Sequence, residues 1–293
     1  MNTRLVLIHG RSQENKDAVA LKKDWLQALD TGLGKSQLAL EVPDTRIAFP
    51  YYGQTLFDLV GNAATVAEVI VRGESGEDKA EQAFQQALLQ EMQHAAGIPD
   101  EEIEAVINDE VLQRGVLNWE WVQGILKVFD RRVPGASDAS IALFTRDVYH
   151  YLKNPVVRRK IDDGVKAAMQ PGVPTVVVSH SLGTMVAYNL LRREGKALGW
   201  QVPLFVTLGS PLAAQAIKSS VAPIVHPSCV GRWFNAMDER DVVALYPLTR
   251  RHFAVDPEIE NKTDVDNHTR NRHGIAGYLD DADVARIIHK ALN

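Results

Sequence analysis

Apolar positions follow two rhythms along this chain. Short segments rich in β-branched, aliphatic or aromatic residues stand at residues 4–8, 45–49, 175–178, 202–208 and 232–236, with a further one at 252–255. Each is bounded by Gly, Pro or polar residues, the mark of buried strands. Between these runs, apolar residues recur every three to four positions. Val19, Leu21, Trp25, Leu26 and Leu29 place one apolar face on a helix over 16–29, and the same pattern predicts helices over 156–169, 182–193 and 281–292. Strands alternating with helices predict an α/β fold with a mostly parallel sheet and helices on both faces.

From residue 55 to 153 the strand rhythm stops. Helices are predicted over 78–96, 100–114, 117–131 and 137–152; Asp100, after Pro99 and before Glu101 and Glu102, marks one start. The chain therefore divides into an α/β part, 1–54 and 154–293, and a helical insertion, 55–153. Within the insertion Trp119, Val122, Leu126 and Phe129, with Ile125 beside them, form an apolar stripe. Such a stripe packs the insertion's own core or walls a substrate site.

Composition narrows the function. The 293 residues, 45% hydrophobic, suffice for one large domain or one domain with a large insertion. Basic residues number 32 and acidic residues 37, a net charge of −5, which argues against nucleic acid as a partner. Cys229 is the single cysteine, so no intramolecular disulfide forms and a reducing, cytoplasmic setting is expected. Leu5–Ile8 is too short for a secretory leader, and no run approaches the roughly 18 apolar residues of a span, so no integral membrane association is expected. Gly32-Leu33-Gly34-Lys35-Ser36 looks like a phosphate loop but follows a helix, not a strand, and reads as a helix end. Asp264, Asp266 and His268 lack metal-ligand spacing; neither a metal nor a cofactor is expected.

The candidate chemistry sits where strands end. Right-handed crossovers bring the C-terminal ends of parallel strands to one edge, where ligands bind. The run 175–178 leads into Ser179-His180-Ser181-Leu182-Gly183, a loose G-x-S-x-G turn with Ser179 in the first Gly position. Such a strand-turn-helix junction lifts a serine hydroxyl into the open beside free backbone N–H groups. The first strand ends in His9-Gly10-Arg11, and the run 232–236 is followed by Asp238 and Asp241. The last loop holds His268 and His273. Ser181 is thus the candidate nucleophile, Asp238 or Asp241 the acid, and His268 or His273 the base. His180 reads as packed or hydrogen-bonded, and His9 as shaping the first loop.

These pieces, with Gly209-Ser210-Pro211, Asp241-Val242-Val243 and His273-Gly274-Ile275-Ala276-Gly277-Tyr278-Leu279, resemble the α/β-hydrolase superfamily, its serine esterase/lipase group. The chain departs from that pattern at Ser179 and in starting where the family's third strand would stand. The resemblance implies an α/β-hydrolase fold with 55–153 as a helical cap. It implies catalysis by Ser181, Asp241 and His273, with Asp238 and His268 as rivals in the last two roles. The oxyanion hole would use the N–H groups of Leu182 and Arg11, with Gly10 letting the backbone close in. The Arg11 side chain reads as solvated. The activity implied is cleavage of carboxylic esters through an acyl-enzyme, on a small-molecule or lipid-like substrate. A thioesterase, a phospholipid acyl hydrolase and a non-catalytic binding scaffold are the alternatives.

Overall fold

The structure, a computed structural model, describes residues 3–11, 13, 15–60, 79–107, 119–133, 135 and 137–293, with the backbone alone at 119 and 120. The chain begins β1 (Arg4–Ile8), α1 (Ala18–Gly34), β2 (Ile47–Ala48) and α2 (Gly53–Val60). A helical stretch follows: α3 (Lys79–Ala95), α4 (Asp100–Glu104), α5 (Trp119–Arg132), α6 (Asp138–Lys153) and α7 (Pro155–Lys166). Alternation then resumes with β3 (Thr175–His180), α8 (Leu182–Leu190), β4 (Val202–Leu208), α9 (Gln215–Ser220) and β5 (Val230–Ala236). The chain closes with β6 (Glu260–Lys262), α10 (Ile275–Leu279) and α11 (Ala282–Leu292).

Local chemistry sets the helix starts. Asp17 accepts the N–H of Ala20 at 2.8 Å ahead of α1. Asn154 accepts from Val156 and Val157 ahead of α7, where Pro155 takes the first-turn position that needs no donor. Helix α1 runs on to Gly34 with Lys35 as its cap, so the glycine-rich segment is a helix end.

All six strands are parallel, in the order β2-β1-β3-β4-β5-β6. The two-residue side-chain period sorts them into two faces. Val6, Val177, Phe205 and Trp233 stand in register on one face; Leu7, Val178, Val206 and Phe234 do so on the other. The first row joins an apolar cluster with Leu89, Ile125, Phe129 and Val186, and the second packs on Trp25, Leu29, Val284 and Ile288 of α1 and α11. Each such side chain, fully removed from water, contributes about 1.5–3 kcal/mol. The helical stretch and the sheet thus share one core.

Several expectations change. Residues 252–255 form turns; Phe253 is buried there against Tyr188 and Trp233 rather than in a ladder. The last strand is Glu260–Lys262, which holds no apolar residue and is defined by its pairing with β5 alone. Helix α8 ends at Leu190, and a π-turn carries the chain on to Gly195. Of the helix expected over 100–114, α4 covers 100–104, and the part beyond 107 lies outside the described residues. Among the described residues, no helix is long and apolar enough to cross a membrane.

Candidate active site

The sheet order reverses between β1 and β3: β2 lies outside β1 on one side, and β4 to β6 build outward on the other. A reversal of this kind opens a crevice at the strand ends. Ser181 stands there, between β3 and α8, with φ 55° and ψ −129°. A non-glycine residue held in such a region costs on the order of 1–3 kcal/mol. The neighbours hold it in place. Its N–H donates to the Leu208 carbonyl at 3.0 Å, and its carbonyl accepts from Thr184 N at 2.9 Å and Thr184 Oγ1 at 2.7 Å. Small residues are needed all around. A Cβ on Gly183 would collide with the Ile8 and His9 carbonyls, and one on Gly10 would lie 2.8 Å from the Ser181 Cβ. Ser179 is accepted in the glycine position because its hydroxyl, fully buried, donates to the Val206 carbonyl at 2.9 Å.

His273 Nε2 lies 2.8 Å from Ser181 Oγ, and its Nδ1 lies 2.7 Å from Asp241 Oδ2. A carboxylate only accepts, so Nδ1 carries the proton of the neutral ring and Nε2 offers its lone pair to the serine hydroxyl. Asp241 is wholly buried in its side chain. Burial by itself would raise its carboxyl. The charge and hydrogen bond of His273, the Tyr278 hydroxyl at 2.6 Å and the Val243 N–H at 2.9 Å outweigh it and hold Asp241 below the usual carboxylate range. Burial and the Asp241 charge in turn push the Tyr278 phenol well above its ordinary value, so it stays a donor. This chain can carry a proton off a hydroxyl and stabilise the imidazolium that forms.

The rivals are elsewhere. Asp238 is buried and accepts the N–H of Arg240 at 2.8 Å and of Asn267 at 2.9 Å. It therefore ties the Asp241 loop to the His273 loop. His268 is exposed and pairs with Asp280 at 3.4 Å. Asp264 and Asp266 turn to Lys262 and to Arg240 and Arg272, so the three do not converge. His9 is buried, and its ring accepts the Tyr52 N–H at 3.1 Å and contacts the Gly10 carbonyl at 2.6 Å. Burial, opposed in part by that carbonyl, brings it down to about 4. His180 places Nε2 2.8 Å from the His273 carbonyl; burial first, and then the His273 charge, bring it down to about 3.

Arg11 departs from the solvated reading. Its Nε donates to Asp147 at 2.7 Å and its Nη1 to the Ser140 carbonyl at 3.2 Å, both on α6. The partner lies 136 positions away in sequence, beyond the reach of local pattern. A cleft of about 450 Å³ opens over Ser181 and His273. Ile141 and Phe144 of α6 line it together with Trp25, Val242 and Ile275. Val122, Ile125, Leu126 and Phe129 of α5 are instead fully buried in the shared core, while the Trp119 side chain lies outside the described residues.

Three contributors have no role assigned by the sequence. Tyr278 had a legible signal, an aromatic residue soon after the histidine. Gly209, at φ +54°, follows β4 where a Cβ would lie 3.1 Å from both Asp241 Oδ2 and His273 Nδ1; the Gly-Ser-Pro run marks it. Asn267 sits in a polar stretch without local signal, yet it is fully buried. Its amide donates to the Gly274 carbonyl at 2.9 Å and accepts from Thr269 N at 3.1 Å, closing the loop that carries His273. Comparison of the chain with protein-family models, curated proteins and solved structures returns no match.

Proposed function

We propose that this protein is a serine hydrolase of carboxylic esters, built on the α/β-hydrolase plan, with the helices of 55–153 as a cap over the cleft. The observation that carries this reading is the hydrogen-bonded chain Asp241–His273–Ser181, at 2.7 and 2.8 Å. Strain at Ser181 supports it as well: a passive scaffold has no use for a serine held at φ 55°.

In this mechanism Ser181 Oγ attacks the ester carbonyl carbon while His273 Nε2 takes the hydroxyl proton. Asp241, held ionised by its donors, stabilises the imidazolium. The oxyanion of the tetrahedral intermediate meets the N–H of Leu182, left without an intrahelical acceptor at the start of α8, and the N–H of Arg11 beyond Gly10. The carbon–oxygen bond to the alcohol then breaks, and His273 returns the proton to the leaving oxygen. Water repeats the sequence on the acyl-serine and frees the acid. The apolar side chains of Ile141, Phe144 and Val242 would receive the hydrophobic part of the ester. The lone, half-buried Cys229 suits a cytoplasmic setting.

The test is labelling with a fluorophosphonate probe and mass spectrometry of the modified peptide, run beside a panel of p-nitrophenyl esters. Label on Ser181, and loss of both label and turnover in a folded Ser181→Ala variant, are expected. Unchanged hydrolysis in Ser181→Ala would sink the assignment.

A further inference from the structure

His180 touches Ser181 in sequence but not in the reaction just described. It closes β3, and its ring lies beneath His273, with ring centroids 4.7 Å apart. Trp25 meets it edge-on at 6.2 Å and Tyr278 lies at 6.0 Å. Its Nε2 faces the carbonyl oxygen of His273 at 2.8 Å.

We propose that His180 is a positioning residue: it anchors the main chain of His273 by one hydrogen bond and supports the imidazole by ring contact, and so sets the approach of Nε2 to Ser181 Oγ. The inference rests on the reading of His273 as the base of Ser181.

Tautomer and charge fix what the His180 ring can do. A carbonyl oxygen only accepts, so His180 Nε2 must carry a proton. The ionisable groups around the ring are His273, Asp241, His9 and Tyr278. Burial disfavours a second proton on His180, and the positive charge that His273 gains during turnover disfavours it further. The ring is therefore a fixed, neutral Nε2–H donor throughout the reaction. A protonated ring so close would oppose imidazolium formation on His273. The contact also matters for the loop from 267 to 274, which is otherwise held by bonds within itself and by Asp238 and Asp241 of the loop after β5. Asn267, Thr269 and Asn271 bond within it, to Gly274 and to the His273 N–H. The His180 bond ties this loop to the strand that carries the serine. A shift of about 1 Å in a reacting group lowers rates on the order of 10²-fold.

Three variants test this on p-nitrophenyl ester turnover and fluorophosphonate labelling. His180→Leu removes the donor, and His180→Gln keeps a neutral N–H near the Nε2 position. His180→Asn keeps the amide but places it a carbon short. We expect kcat and the labelling rate to fall on the order of 10- to 100-fold in the Leu and Asn variants, with KM little changed. We expect His180→Gln to recover to within about threefold of the parent. Equal loss in Gln and Leu, or Leu within twofold of the parent, would overturn the proposal. ¹⁵N-histidine NMR of the unaltered protein gives a second reading that needs no variant to fold. A single proton on His180, at Nε2 and unchanged from pH 5 to 9, is expected; a doubly protonated ring or an Nδ1 proton in that range overturns the proposal. Absence of label on Ser181 in the unaltered protein would instead overturn the hydrolase reading itself.

Discussion

Asp241 and Asp162 are both buried carboxylates, 3% and 4% exposed, and their surroundings drive them in opposite directions. Asp241, in the loop after β5, takes His273, Tyr278 and the backbone N–H groups of Val243 and Ala244. Asp162, on α7, takes one hydroxyl, that of Tyr151 at 3.0 Å, with Arg193 and Lys166 acting from farther away and Glu194 opposing them. Desolvation pushes both carboxyls up. At Asp241 the donors and the His273 charge win and the group lies low; at Asp162 burial wins and the group rises to about 6. Depth alone therefore does not decide which way a buried carboxyl shifts. The number of donors aimed at it, and a titratable partner that can share its charge, make the difference.

Neutralising each carboxylate in turn should separate the two most sharply. Asp241→Asn leaves the shape but presents His273 with an amide, favouring the wrong tautomer; kcat should fall about 10⁴-fold. Asp162→Asn should leave kcat within about twofold. Comparable losses in the two variants, measured on one ester, would erase the distinction. A smaller effect is expected from Tyr278→Phe, which removes a 2.6 Å donor to a buried charge. Urea denaturation should register a loss of about 1.5–3 kcal/mol, because bonds to charged groups lie in that range. A modest fall in kcat should accompany it.

The pH dependence of stability sharpens the same contrast. Asp162 sits above its unfolded value, so its contribution is present at low pH and is lost as pH rises through about 6. Asp241 lies below its unfolded value, so its contribution is present at neutral pH and is lost as pH falls through the folded value. His9 and His180, lowered to about 4 and about 3, make the folded state lose stability as pH drops below 6.5, because the unfolded chain takes up protons that the buried rings refuse. Denaturant titrations at pH 5 and 8 should therefore show Asp162→Asn gaining on the parent as pH rises, by about 1.4 kcal/mol. A pH-independent difference would show that Asp162 is already ionised at pH 5.

The alternating strands and helices were legible because a sheet buried on both faces demands near-continuous apolar runs, as at residues 176–178 and 204–206. Ser181 was legible because a strained strand-to-helix turn needs small neighbours, and Gly183 and Gly10 stand where any side chain would collide. The carboxylate and the imidazole that meet at Ser181 were legible only as pairs of candidates, since Asp238 and Asp241 share one loop, and His268 and His273 another.

Local periodicity and turn chemistry were enough to fix most of the elements, the edge at which their ends gather and the residue types available there. Tertiary structure alone decided which side chains meet. Asp241 rather than Asp238 reaches His273, Arg11 turns to Asp147, Asn267 is buried within an outwardly polar stretch, and Glu260–Lys262 becomes a strand. Those outcomes depend on contacts between positions far apart in the chain, whose energies are settled by burial and donor count once the sheet and helices have packed.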